Sequence, residues 1–209
     1  MEFIGFPSPP ESFKLVVTRV SEGESESFDR DKLQEYFPKR DLSVMRGGRI
    51  LEHIAVAFAF NKALGHKNWH LEYEKYGGAV LFENGQTSKN KVSISHAHDV
   101  DESVLAAVTI SEVSYRIGVD LVFRWDERLS RIAPRTMSPE EVESGDLSGV
   151  WAIKEAIFKS MGPGIDFKME IKVFPSTNLP IVEASLRGIK YNWWLAELDG
   201  AVIALGPIK

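Results

Sequence analysis

Apolar side chains recur every three or four residues in two long stretches of the sequence, and each stretch predicts a helix. The first stretch, residues 42–64, carries Ile50, Ile54 and Phe58 at helical spacing; Ser43 can cap its start and Gly65 can end it. The second stretch extends from Ser148, the predicted cap, to residue 161 and ends at a Gly-Pro-Gly sequence.

Shorter apolar or alternating stretches predict strands between and after these helices. They cover residues 13–20, 69–76, 79–82, 92–95, 104–110, 115–123, 167–174, 181–186, 191–198 and 201–205. Residues 104–110 and 115–123 are predicted to pair as a hairpin, as are residues 191–198 and 201–205, with a turn at Asp199-Gly200. Each half of the chain thus has a long helix followed by antiparallel strands. The sequence predicts an α+β protein with two similar lobes, residues 1–102 and 103–209, each a long helix packed on a small antiparallel sheet.

Composition narrows the possible functions. The 209 residues include no cysteine, which excludes disulfides, thiolate nucleophiles and cysteine-ligated metals. A net charge of −5 disfavours broad nucleic-acid binding. The N-terminus lacks the features of a signal peptide, and the longest apolar run, residues 54–60, is too short to span a bilayer. We therefore expect a soluble cytoplasmic protein that binds neither nucleic acid nor membrane.

An aspartate stands in the middle of the apolar stretch from Ile117 to Phe123. In a strand, Gly118, Asp120 and Val122 would share one face. A carboxylate on a half-buried face needs a cation or several hydrogen-bond donors to offset its desolvation, and Gly118 beside it would leave room for a ligand. Two interpretations stay open: a ligand site, or an acid that backbone amides or an arginine satisfy.

The second predicted helix carries charged residues among apolar ones. Trp151, Glu155 and Lys159 lie along one side of it, and Lys154 is rotated by one residue. An exposed Glu155–Lys159 pair would contribute only about 0.2–0.5 kcal/mol, and it would explain neither Lys154 nor the apolar surroundings. Together with Asp120, these residues suggest a place for a divalent cation and a polyphosphate.

Histidines and arginines suggest further chemistry in the first half of the chain. His96 and His98 form an H-x-H pair of a kind that also occurs in metal-dependent hydrolases, but such sites need further ligands and no second motif supplies them. One of the pair is therefore interpreted as a hydrogen-bond donor to an anion. Arg46, Arg49 and His53 share one face of the first helix, which indicates either a solvated basic stripe or a functional surface.

Together these motifs resemble the 4′-phosphopantetheinyl transferases, specifically the two-lobed type of the surfactin-synthetase-activating group. The patterns W-[ST/A]-x-K-E-[AS]-x-x-K, glycine-hydrophobic-aspartate and S-H-[ST] are met by residues 151–159, by residues 118–120 and, in part, by residues 95–97. Arg49, with Arg46 before it, is similar to the arginine that opens the first-lobe helix. Order and spacing agree over about residues 40–165.

The resemblance implies two pseudo-symmetric lobes, with coenzyme A in the cleft between them. It implies a monomer that transfers 4′-phosphopantetheine from coenzyme A to a serine of an acyl or peptidyl carrier protein and releases 3′,5′-ADP. Asp120 and Glu155 would hold Mg²⁺, and Glu155 and Lys159 would be the catalytic residues. The residues implied in binding coenzyme A are Arg46, Arg49, Lys75, Ser95, His96, Lys154 and Lys159.

Two departures from the family pattern leave alternatives open. Val122 stands where the family usually has a second acid, and the usual Gly-Lys-Pro turn appears as residues 77–79, Gly-Gly-Ala, without its lysine. Lys75 could take the place of that lysine. The alternatives are a divergent non-catalytic homologue that binds coenzyme A or a carrier protein, and a His-x-His metal-dependent hydrolase.

Overall fold

The fold is known from a computed structural model that describes residues 2–3, 8–25, 28–75, 77–174 and 179–208. The helices are α1 (Glu22–Ser25), α2 (Arg30–Tyr36), α3 (Gly48–Leu64), α4 (Arg128–Thr136), α5 (Pro139–Glu143) and α6 (Leu147–Met161). The strands are β1 (Glu2–Phe3), β2 (Lys14–Val20), β3 (Trp69–Tyr73), β4 (Ala79–Glu83), β5 (Gln86–Thr87), β6 (Lys91–His98), β7 (Val104–Ser111), β8 (Gly118–Phe123), β9 (Ile171–Phe174), β10 (Ile181–Leu186), β11 (Ile189–Leu198) and β12 (Ala201–Ile208). Every strand pairing is antiparallel. The α+β class is therefore confirmed.

Contacts divide the chain into two compact units, and the first contains Glu11–Tyr115. Its main sheet has the order β1-β2-β7-β6, and α3 packs on β2 and β7. The core of this unit comes from one side of α3 and the facing strands, and Ala55, Ala59 and Phe60 have no exposed surface. A second small sheet has the order β3-β4-β5.

The second unit contains Arg116–Lys209. Its sheet has the order β8-β12-β11-β10-β9, and α6 packs on β8 and β12. Apolar residues of α6 and of the sheet form the core, among them Ile153, Ile157 and Val202. This packing fixes α6 beside β8, the strand that carries Asp120.

The unit division falls between residues 115 and 116, whereas the boundary predicted from sequence lies between residues 102 and 103. The reason is the pairing of β7, which is hydrogen-bonded to β2 on one side and to β6 on the other. The predicted hairpin of residues 104–110 with 115–123 is therefore wrong, because β8 pairs with β12 instead. The hairpin of β11 and β12 is confirmed, with its turn at Asp199-Gly200.

Both long helices begin at a different residue from the predicted one. Gly47 adopts a φ of 54° and separates a short 3₁₀ turn, Leu42–Val44, from α3. Asp41 caps that turn and also accepts a hydrogen bond from Ser43, so Ser43 is not the cap of α3. Helix α6 is capped by Asp146 rather than by Ser148. The predicted ends at Gly65 and Gly162 are confirmed.

Among the described residues, no helix is long and apolar enough to cross a membrane.

Gly118 allows α6 to approach β8 closely. A Cβ atom built on Gly118 would lie 1.8 Å from the carbonyl oxygen of Ala156, far inside any real contact. The sequence-based expectation that Gly118 leaves room for a ligand is therefore wrong: the helix backbone fills that space. The glycine instead sets the distance between α6 and the strand of Asp120.

We expect Gly118→Ala to lower the free energy of unfolding by about 1–3 kcal/mol, because a helix backbone must move to admit the methyl group. Gly23→Ala is the matched control, since a Cβ atom there meets no atom within 4 Å. In the short helix α1 it should leave stability unchanged or raise it by up to about 1 kcal/mol. Urea unfolding of the two variants measures the difference, and equal stabilities would contradict the packing described for Gly118.

Candidate functional site

Lys159 connects α6 to β8 through its side chain. Its Nζ donates a hydrogen bond of 2.7 Å to Asp120 Oδ1 and one of 3.1 Å to the carbonyl oxygen of Val119. Asp120 is only 6% exposed, and its neighbours along β8 are apolar. The ammonium group of Lys159 therefore compensates part of the cost of burying this acid.

Glu155 lies one turn before Lys159 on α6 and so on the same face of the helix. Burial, and then the negative charge of Asp120, raise the pKa of Glu155 above its usual value, whereas Lys159 and Arg128 act in the opposite direction. The carboxylates of Asp120 and Glu155 thus interact across the contact between strand and helix. Two carboxylates at one place repel each other, and a cation bound between them would relieve this repulsion.

The donor set fits Mg²⁺. This ion is commonly held by one or two protein carboxylates, with substrate phosphates and water completing its octahedron. Val122, on the same strand face as Asp120, packs in the apolar core of the second unit and offers no third oxygen. Asp120 and Glu155 are therefore the acids at this position that could hold the ion.

Lys154 has a different environment from the one predicted. It has no exposed surface, and its Nζ contacts Glu141 Oε2 at 2.8 Å and the carbonyl oxygens of Phe167 and Ile171 at 2.7 and 2.9 Å. Burial lowers the pKa of Lys154, although Glu141 acts to raise it. An ammonium group has three donors, and these three acceptors use all of them. These contacts support a structural role for Lys154, and its role in binding phosphate stays a prediction.

Glu141 is the partner that sequence reasoning missed. Its Oε2 also accepts a hydrogen bond from the backbone amide of Ser138, in a capping box at the start of α5, and its Oε1 accepts one from the amide of Val173. Glu141 and Lys154 therefore connect α5, α6 and β9. The S-x-x-E spacing of residues 138–141 is a visible capping signal, but nothing in the sequence points to Lys154 as the partner.

The residues predicted to bind coenzyme A in the first half of the chain lie in the first unit. His96 is exposed near the end of β6, and its Nε2 is 3.6 Å from Oε2 of Glu52 on α3. Arg49 lies three residues before Glu52 and shares its side of the helix. Ser95 is buried and, as the neighbour of His96 on a strand, points to the opposite face.

The two remaining candidates of the first unit are exposed. Arg46 lies between the 3₁₀ turn and α3, and Lys75 lies between β3 and β4. The structure thus brings Arg49 and His96 to the same region of the first unit, and it separates the side chain of Ser95 from that of His96.

Comparison with known families finds a match for most of the second unit. Residues 116–205 match the model of the 4′-phosphopantetheinyl transferase superfamily. No curated protein matches the chain. The matched region includes β8 and α6 and hence Asp120, Glu155 and Lys159, whereas Arg49 and His96 lie outside it. The part of the chain that carries Asp120, Glu155 and Lys159 is therefore similar to the 4′-phosphopantetheinyl transferase superfamily.

Proposed function

We propose that this protein transfers 4′-phosphopantetheine from coenzyme A to a serine of an acyl or peptidyl carrier protein in a Mg²⁺-dependent reaction. The main support is the meeting of Asp120, Glu155 and Lys159 between β8 and α6, inside the region that matches the superfamily. Transfer of a phosphoryl-type group depends mainly on positioning and on stabilising charge. Two carboxylates with an adjacent lysine can supply both functions.

At phosphorus, the reaction forms one bond and breaks one. The serine oxygen attacks the phosphorus that carries the pantetheine arm, and the bond from that phosphorus to the bridging oxygen of the pyrophosphate breaks. The bond electrons leave with 3′,5′-ADP, and the proton of the serine hydroxyl passes to the carboxylate of Glu155. Glu155 is suited to this role because it is partly buried beside the second acid, Asp120.

The other groups act through charge. A Mg²⁺ ion held by Asp120 and Glu155 would neutralise charge on the pyrophosphate. Two hydrogen bonds hold the ammonium group of Lys159 at β8. There it would place a positive charge where the leaving phosphate becomes more negative. In this proposal Asp120 both positions Lys159 and contributes to the metal site.

For the adenosine end of coenzyme A we propose the first-unit residues. Arg49 and His96 are the best supported of them, because Arg49 lies on the same side of α3 as Glu52, which His96 contacts. Arg46 and Lys75 would add exposed positive charge for the 3′-phosphate. Ser95 would have to act from the other face of β6.

The experiment that tests this function is mass spectrometry of purified apo acyl carrier protein and apo peptidyl carrier protein, each incubated with the enzyme and coenzyme A. We expect one carrier to gain the mass of a single phosphopantetheine when Mg²⁺ is present, and to gain nothing when a chelator removes it. No mass gain on either carrier would contradict the proposal. If calorimetry then showed that coenzyme A still binds, a non-catalytic homologue would be supported instead.

A further inference from the structure

Glu52, His96 and His98 form a cluster of which the proposed function uses only His96. His98 Nε2 lies 2.7 Å from Glu52 Oε1, and His96 Nε2 lies 3.6 Å from Glu52 Oε2. The ligand atoms that the three side chains offer all lie within 4.8 Å of one another. Each is therefore close enough to contact one central ion after small rotations of the side chains.

The arrangement follows from the packing of α3 beside β6 in the first unit. Residues 92 and 94 of β6 pack against the core that includes α3, and His96 and His98 continue that face at the alternating spacing of a strand. Glu52 reaches them from the second turn of α3. At the first position of α3, Gly48 makes room for the imidazole: a Cβ atom there would lie 2.5 Å from Cε1 of His98.

The chemistry of the cluster favours a metal cation. Two imidazoles and one carboxylate are a frequent ligand set of zinc, and three protein ligands leave a fourth tetrahedral position open. The carboxylate of Glu52 beside the two imidazoles adds a negative charge, which supports the binding of a divalent cation. The side chains of His96 and His98 are 41% and 46% exposed, so an ion can reach them from solvent.

We propose that Glu52, His96 and His98 form a three-ligand site for a divalent transition-metal ion, with Zn²⁺ as the best-fitting member of that class. This site is distinct from the proposed Mg²⁺ site, since its ligands lie in the other unit and include two nitrogen donors. It also revises the expectation that the H-x-H pair lacks a further ligand, because Glu52 supplies one from a distant part of the sequence. An ion bound there could accept a water molecule or an anion at its open position.

The test is a calorimetric titration of untagged, chelator-treated protein with Zn²⁺, together with the visible absorption spectrum of the Co²⁺-loaded protein. We expect one tight equivalent of Zn²⁺ and the spectrum of low-coordinate Co²⁺. His98→Ala and Glu52→Gln should each weaken binding by about 10- to 100-fold or more and abolish the Co²⁺ bands. Gly48→Ala should weaken binding with little loss of stability, since its methyl group displaces only the imidazole of His98.

Two controls separate this site from other metal binding. His70→Ala removes a histidine of the same unit that stacks on Phe82, and it should leave Zn²⁺ affinity unchanged. Asp120→Asn should also leave it unchanged, whatever that substitution does to phosphopantetheine transfer. The proposal is wrong if no stoichiometric Zn²⁺ binds, or if His98→Ala and Glu52→Gln bind as tightly as the original protein.

Discussion

Replacing Lys154 with methionine is expected to lower the free energy of unfolding by about 3–5 kcal/mol, the usual cost of removing one partner of a buried ion pair. The substitution leaves the carboxylate of Glu141 buried without its cation, and it leaves the carbonyl oxygens of Phe167 and Ile171 without their donor. Methionine has a similar length and is apolar, so the loss comes from charge and hydrogen bonding rather than from a cavity. Urea unfolding with linear extrapolation measures the change.

A second substitution tests the cause. In Lys154→Met combined with Glu141→Gln, part of the lost stability should return, because a neutral amide is much cheaper to bury than a carboxylate. Full recovery is not expected, since Glu141 also accepts hydrogen bonds from the amides of Ser138 and Val173. Lys172→Met is the control on an exposed lysine of the same unit, and it should change stability by less than about 0.5 kcal/mol.

The outcome decides between two roles for Lys154. If it binds phosphate, Lys154→Met should retain stability and lose activity. If it is structural, the variant should lose stability but keep transferase activity at a temperature where it stays folded. Normal stability with lost activity would support the phosphate-binding role that the sequence motif implies and would contradict a structural role for Lys154.

Lys154 and Lys159 show that a sequence motif can place side chains on a helix without identifying their partners. The motif places both lysines on one helix, five residues apart, and their spacing alone gives them different directions. The motif does not reveal that Lys154 is buried between α6 and β9, whereas Lys159 reaches β8. The deciding partners, Glu141 for Lys154 and Asp120 for Lys159, come from other elements and depend on tertiary packing.

Local signals predicted the ends of elements better than their partners. The glycines at positions 65 and 162 and the Asp199-Gly200 turn are short-range features, and the structure has each of them where the sequence placed it. Strand pairing is long-range, and the hairpin predicted between residues 104–110 and 115–123 was wrong. Both strands are fully buried, so their continuous apolar sequences give no alternation that could identify a neighbour.

The sequence indicated two of the three residues of the cluster formed by Glu52, His96 and His98. His96-x-His98 is a recognisable pair, but its third member, Glu52, is 44 residues before His96 and part of a different element. Glu52 lies between Arg49 and His53, in a stretch whose basic residues indicate a basic surface and not a metal ligand. Only the packing of α3 beside β6 shows that a carboxylate stands next to the imidazoles.

Converting either acid of the second unit to its amide is expected to abolish most of the transferase activity. Asp120→Asn and Glu155→Gln keep the size and shape of each side chain and remove its negative charge. If the two carboxylates hold Mg²⁺ and Glu155 accepts the serine proton, each variant should lose about 100-fold or more in kcat/KM, the usual cost of deleting one electrostatic contribution to catalysis. The rate at which apo carrier protein gains phosphopantetheine, measured over a range of Mg²⁺ concentrations, gives the change.

Stability should respond differently in the two variants, and this difference makes the test specific. The raised pKa of Glu155 means that its ionised carboxylate lowers the free energy of unfolding. Glu155→Gln should therefore retain stability or increase it, while activity falls. Asp120→Asn removes the acceptor charge from Lys159 and should lose some stability together with activity. Glu143→Gln, the same kind of substitution at an exposed position of α5, should change neither quantity. If Glu155→Gln transferred phosphopantetheine at the normal rate, Glu155 would be neither base nor metal ligand, and the catalytic centre of this domain would have to be sought elsewhere.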